Sequence, residues 1–116
     1  MKHIVIMLAM VLGMTAIAQN KNMKASIEVD GICEMCKARI EKAAIKTAGV
    51  KSAVWSIETH ELRLIFDERK TNLKEIQKSL ANVGHDTKAF KATDEAYNGL
   101  HACCKYRDET VKNDHK

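Results

Sequence analysis

Residues 30–36 read Asp30-Gly31-Ile32-Cys33-Glu34-Met35-Cys36. This stretch follows a segment of alternating polarity and precedes one whose apolar residues recur at helical spacing, so it predicts a turn from a strand into a helix. Its two thiols, three residues apart at the start of that helix, are placed to bind one soft metal ion. They are equally placed to close a disulfide, and the spacing does not decide between the two. Met35 is expected to be a loop-edge or packing residue.

The elements around this turn follow one another as strand, helix, strand, strand, helix and strand. Their order predicts an α+β fold, the ferredoxin-like βαββαβ sandwich, in which two helices cover one face of a four-stranded antiparallel sheet. Asn72 is a suitable N-cap for the second helix, and Gly84 a suitable end. The predicted strands cover residues 24–30, 50–57, 62–66 and 86–92, and the helices residues 35–48 and 73–83.

The segment over residues 93–107 predicts an added C-terminal helix that carries a second group of cysteines. Thr93 is a suitable N-cap. We expect the helix to lie against the domain, and residues 108–116 to form a polar tail. By the spacing of a helix, its buried face would carry Tyr97, Leu100, His101 and Cys104.

The motif His101-Ala102-Cys103-Cys104 contains two adjacent cysteines, which rarely bond to each other because the small ring strains disulfide geometry. Three interpretations stay open: a disulfide from this motif to Cys33 or Cys36, a separate metal site, or additional ligands for the first site. A returning helix would bring His101, Cys103 and Cys104 near the first thiol pair.

The first 18 residues have the pattern of a cleaved signal peptide, with Lys2 before an apolar run and Ala16-Ile17-Ala18 before the cleavage site. The apolar run is too short to span a membrane comfortably, since a span needs about 20 residues. We therefore expect an exported, periplasmic protein whose mature form does not span the membrane. That compartment favours disulfides, and all four cysteines lie in the mature part.

Composition argues against two other function classes. The 19 lysines and arginines are interleaved with 15 acidic residues, and aromatic residues make up 4% of the chain, so no basic or base-stacking surface for nucleic acid is expected. A thioredoxin-like oxidoreductase sets a cis-proline against its cysteine pair, whereas this chain contains no proline. A thiol–disulfide redox domain and a disulfide-stapled structural domain remain the alternatives to metal binding.

The chain resembles the heavy-metal-associated domain family of copper chaperones, copper-ATPase amino-terminal domains and the periplasmic mercury-binding protein. The resemblance covers residues 24–92, and implies a non-enzymatic protein that binds Cu(I) through Cys33 and Cys36. It further implies transfer by thiolate exchange to a protein partner such as a copper transporter, from a monomer or a metal-bridged dimer. Hg(II) and Zn(II) are the alternative ions. The matching segments are Gly31-Ile32-Cys33-Glu34-Met35-Cys36, Ala48-Gly49-Val50 and Val83-Gly84-His85.

Two positions depart from the family pattern. The loop before Cys33 is one residue shorter than the usual Gly-Met-Thr-Cys, and His85 stands where the family usually has an aromatic residue or a lysine. The split-βαβ topology places His85 near the thiol loop. An imidazole there is a candidate third ligand, or tunes the ligands, and the alternative is a solvated loop histidine.

Overall fold

The computed structural model describes residues 20–114 of the 116-residue chain. The predicted signal peptide, residues 1–18, lies outside the described residues. Among the residues described, no helix is both long enough and apolar enough to cross a bilayer.

A three-stranded antiparallel sheet with the order β1-β3-β2 forms one layer of the domain. The strands are β1 (Met23–Glu28), β2 (Val50–Trp55) and β3 (Glu61–Phe66). The central strand β3 pairs along its whole length with β1 and, through one irregularity, with β2. Its alternate residues Leu62, Leu64 and Phe66 are buried. Alternation thus puts one face of the sheet in the core, as predicted for a half-buried strand.

Two helices supply the other side of the core, which confirms the predicted α+β fold class. Helix α1 (Glu34–Lys46) buries Cys36, Ile40 and Ala44, which are spaced four residues apart and therefore share one face. Helix α2 (Leu73–Asn82) begins as predicted, because the Asn72 side chain accepts a hydrogen bond from the Glu75 backbone N–H at 3.0 Å.

The predicted fourth strand over residues 86–92 is wrong. Thr87 forms a single isolated bridge to Val29, and Asp30 N–H donates to the Asp86 carbonyl at 2.9 Å. The Asp86 backbone N–H takes no part in this pairing, because it donates to the Tyr106 hydroxyl at 3.0 Å. The strand does not continue, because the next residues fold into a turn in which Thr87 N–H donates to the Phe90 carbonyl at 2.8 Å.

The predicted continuous helix over residues 93–107 is also wrong, although Thr93 does cap its first turn with a 3.1 Å hydrogen bond from Ala96 N–H. The segment divides into α3 (Asp94–Asn98) and a 3-10 turn (Ala102–Cys104), and α4 (Glu109–Asp114) follows within the predicted polar tail. The chain leaves the helix because Leu100 turns into the core. Gly84 makes room for it, since a Cβ at that glycine would lie 3.0 Å from Leu100 Cδ2.

Tyr106 anchors the tail to the loop after α2. Its side chain is buried, and its hydroxyl donates to the Gly84 carbonyl at 2.6 Å while accepting from Asp86 N–H. Its ring stacks on His85 with centroids 5.6 Å apart. Arg107 adds a two-pronged ion pair to the Asp86 carboxylate, at 2.8 and 3.2 Å. The tail is therefore held against the domain immediately after its two cysteines.

Replacing Tyr106 by phenylalanine should lower the free energy of unfolding by about 1–3 kcal/mol, because the Gly84 carbonyl and the Asp86 N–H lose a buried partner. Urea unfolding of the reduced protein measures this. Tyr97→Phe is the matched control, because the Tyr97 hydroxyl accepts only an exposed hydrogen bond from Arg107 N–H. Equal losses in the two variants would show that Tyr106 is not the anchor.

Candidate metal site

Four thiols converge at the N-terminus of α1. Cys33 is the N-cap residue, in extended conformation, and Cys36 lies in the first turn, with the two sulfurs 3.3 Å apart. The tail brings the Cys104 sulfur to 3.0 Å and the Cys103 sulfur to 3.8 Å from the Cys33 sulfur. The Cys33 sulfur therefore lies at the centre of the group. All four cysteines are free thiols in the structure.

The thiol loop lies directly on Trp55. A Cβ at Gly31 would be 3.0 Å from the tryptophan ring and 3.1 Å from the Cys36 Cβ, so a larger residue there would have to push one of these neighbours aside. The indole N–H of Trp55 donates to the Val29 carbonyl at 3.0 Å, and this hydrogen bond fixes the backbone just before the loop. The loop is thus packed against a buried side chain even though one of its two thiols is partly exposed.

Burial divides the thiols into two pairs. Cys36 and Cys104 are both 0% exposed, whereas Cys33 and Cys103 are partly exposed. A group of three, Cys33, Cys103 and Cys104, has all its sulfurs within 4.8 Å of one another. Cys36 adjoins this group through Cys33.

The arrangement favours a thiolate at Cys33. Burial opposes its ionisation, but the hydrogen bond from the Cys104 thiol and those from Cys36 and Cys103 outweigh burial, and the pKa of Cys33 is lowered. Burial, with Cys33 nearby, raises the pKa of Cys103 to about 11 and that of Cys104 to about 12. Cys33 is therefore the thiol of the group that loses its proton most readily, and its neighbours can donate to its sulfur.

Arg39 is a site residue that the sequence analysis missed. Its guanidinium forms a hydrogen bond that favours the thiolate of Cys104 and acts against the burial of that thiol. Its Nη1 is buried and has no hydrogen-bond partner among the described residues. Arg39 lies three residues after Cys36, which places both on one side of α1, and this spacing is the signal that could have found it.

The two candidate histidines lie outside the three-thiol group. His101 is exposed, and its carbonyl accepts from Cys104 N–H at 2.8 Å. His85 is fully buried and donates from Nδ1 to the Asp30 carbonyl at 2.8 Å, while its Nε2 has no partner among the described residues. Burial lowers the pKa of His85 to about 4, so its ring is neutral at pH 7. Metal ligation by either histidine stays a prediction.

Met35 lies at the edge of the thiol loop, which is one of the two positions expected for it, a loop-edge or a packing residue. Its side chain is 43% exposed, and its thioether sulfur lies 3.5 Å from the Cys103 sulfur. A fifth soft donor therefore adjoins the thiols on the exposed side of the site.

The sequence model of the heavy-metal-associated domain matches residues 26–86. The chain belongs to this family. The family match ends before the tail, so Cys103 and Cys104 are additions to the family domain.

Individual relatives agree with this assignment. The chain is 29% identical over 63 residues to the copper chaperone CopZ of Staphylococcus haemolyticus, a match that covers 53% of this chain and 93% of that protein. Among solved structures its fold is similar to that of a CopZ metallochaperone, with 24% identity, a TM-score of 0.54 and coverage of 56% of this chain and 98% of that one. It is also similar to a copper-bound variant of CopA from Bacillus subtilis, with 28% identity, a TM-score of 0.51 and coverage of 57% and 88%.

Cys33 should react with iodoacetamide faster than Cys103 at pH 7, although both are partly exposed. A pKa below 9 against one of about 11 gives a thiolate population about 100-fold larger, and the lower nucleophilicity of the more acidic thiol reduces the advantage to about tenfold. Time-resolved mass spectrometry of the metal-free, reduced protein measures both rates.

Cys104→Ala serves as the comparison for this prediction, because it removes the strongest hydrogen bond to the Cys33 thiolate and should slow that reaction. An equal rate at Cys33 and Cys103 would contradict the assignment of the thiolate to Cys33.

Proposed function

We propose that the protein is an exported, non-enzymatic carrier or reservoir of Cu(I), which it binds through Cys33 and Cys36. The observation that carries this proposal is the pair of thiols 3.3 Å apart at the start of α1, inside a heavy-metal-associated domain. The copper chaperones among its relatives support Cu(I) as the cargo. The signal-peptide pattern of residues 1–18 supports export to the periplasm.

The chemistry of the pair suits a soft monovalent ion. Thiolates select soft metals, and a helix N-terminus stabilises their negative charge. When one Cu(I) replaces the protons of two thiols, two protons leave and the complex carries one net negative charge. Hg(II) satisfies the same softness argument. Zn(II) is the weaker candidate, because a closed zinc site uses four ligands around one ion and only three thiols form a mutually close group.

Transfer would proceed by stepwise exchange of sulfur ligands with a partner that carries its own thiols, such as the metal-binding domain of a copper transporter. The partly exposed Cys33 is the sulfur that an incoming thiolate can approach, whereas Cys36 is buried. The tail thiols cover the same loop, which favours retention of the ion over rapid release. A monomer or a metal-bridged dimer would satisfy this chemistry.

One observation favours a second candidate function. The Cys33 and Cys104 sulfurs are 3.0 Å apart, so oxidation could join them and staple the tail to the domain. In that case the protein would be a redox or disulfide-stabilised domain, and its thiols would be consumed before any metal bound.

The test is an anaerobic titration of the reduced protein with Cu(I) against a competing chelator. We expect Cys33→Ser/Cys36→Ser to weaken binding of the first Cu(I) by at least about 100-fold, because the loss removes both ligands that the family domain supplies. Cys103→Ser, the matched control, should retain the first ion.

Wild-type binding no tighter than that of the Cys33→Ser/Cys36→Ser variant would refute the copper proposal. A protein isolated without reductant that contains a Cys33–Cys104 disulfide and takes up no Cu(I) would favour the second candidate.

A further inference from the structure

We propose that the tail forms a second Cu(I) position from Cys33, Cys103 and Cys104, beside the Cys33/Cys36 pair, so that the Cys33 sulfur bridges two ions. This inference rests on the proposed function, since it takes Cu(I) as the cargo. It concerns residues that lie outside the family match, which covers residues 26–86.

The three sulfurs already have nearly the spacing that a trigonal ion requires. Metal–thiolate bonds of about 2.3 Å, as in zinc sites, place three sulfurs about 4 Å apart around one ion. The observed separations are 3.8 Å for Cys33 and Cys103, 3.9 Å for Cys103 and Cys104, and 3.0 Å for Cys33 and Cys104. A single opening of about 1 Å between two side chains completes the triangle.

The number of donors exceeds what one Cu(I) ion uses. Soft ligands select Cu(I), which in the proposed first position takes two thiolates. Five sulfur atoms converge here, the four thiols and the Met35 thioether, which lies 3.5 Å from Cys103. These sulfurs lie on two sides of the Cys33 sulfur. Cys36 contacts it from the buried side, and Cys103 lies with Met35 on the exposed side. The Cys33 sulfur, within 3.8 Å of the other three thiols, occupies the position of a bridging thiolate.

The tail is held in place for this role without metal. Cys104 is fully buried within the core cluster, and Tyr106 is hydrogen-bonded to Gly84 and Asp86 two residues later. A ligand that is fixed before binding loses little conformational freedom when it coordinates the ion.

The charge of the two-copper state is partly compensated. When two Cu(I) ions replace the protons of four thiols, four protons leave and the cluster has a net charge of −2, one unit more negative than one Cu(I) with two thiolates and two neutral thiols. The Arg39 guanidinium beside Cys104 offsets part of that charge.

Native mass spectrometry combined with anaerobic Cu(I) titration against a chelator tests the inference on the reduced full chain. We expect two Cu(I) ions per wild-type chain and one in Cys103→Ser/Cys104→Ser. Because replacing the buried Cys104 can disturb packing, Cys103→Ser alone provides a second variant, in which the second ion should bind about tenfold or more weakly while the first is unchanged. Ala102→Ser, which introduces the same hydroxyl at an exposed residue of the same motif, is the matched control and should still bind two ions.

The outcomes separate the two proposals. One Cu(I) per chain in both the wild type and the double serine variant would overturn the second position and leave the proposed function standing. Two ions in both proteins would overturn it as well, because the second ion would then bind without the tail. No tight binding by the wild type would refute both proposals.

Discussion

The hydroxyl of Tyr106 is the constraint on which the position of the tail depends. By donating to the Gly84 carbonyl and accepting from Asp86 N–H, it joins the tail to the loop after α2. Within the described residues this loop contributes one isolated bridge to the sheet, which has three strands, and it supports the tail instead. Two residues before this anchor, Cys104 is held against the sulfur of Cys33. The anchor thus accounts for the approach of the tail thiols to the thiol pair at the start of α1.

At the site, the thiol protons are carried by the same sulfur atoms that would bind a metal ion. The Cys33 sulfur accepts hydrogen bonds from neighbouring thiols, and burial raises the pKa values of Cys103 and Cys104, so Cys33 is the first thiol of the group to ionise. Under the proposed function, binding of Cu(I) would release the thiol protons, and the affinity for Cu(I) would therefore rise with pH. The same sulfur that is easiest to ionise is the one that all the others approach. The tail thiols can therefore extend the Cys33/Cys36 pair into a cluster of four thiols while α1 keeps its position.

Local signals in the sequence predicted the local structure well. The Asn72 cap, the spacing of Ile40 and Ala44 and the alternation in β3 each depend on near neighbours, and each is confirmed. The prediction of a fourth strand failed because Thr87 and Phe90 close a turn, and Ala92 N–H donates to the Asp86 carboxylate instead of pairing with β1. The prediction of a continuous tail helix failed because a distant contact decides it: Leu100 leaves the helix to pack on Gly84. The sequence left three alternatives for the tail cysteines, and two of them, a disulfide to the first pair or additional ligands for it, placed the tail cysteines beside that pair. Their convergence on Cys33, and the approach of Met35 to Cys103, are properties of the folded chain.

The central claim is that the tail thiols complete a metal site around Cys33, and copper X-ray absorption on the protein loaded with two equivalents of Cu(I) tests it most directly. Two ions that share a sulfur lie close together, so each copper should show a sulfur shell and a second copper in its scattering. A spectrum with sulfur neighbours alone, the same in the wild type and in Cys103→Ser/Cys104→Ser, would contradict the account.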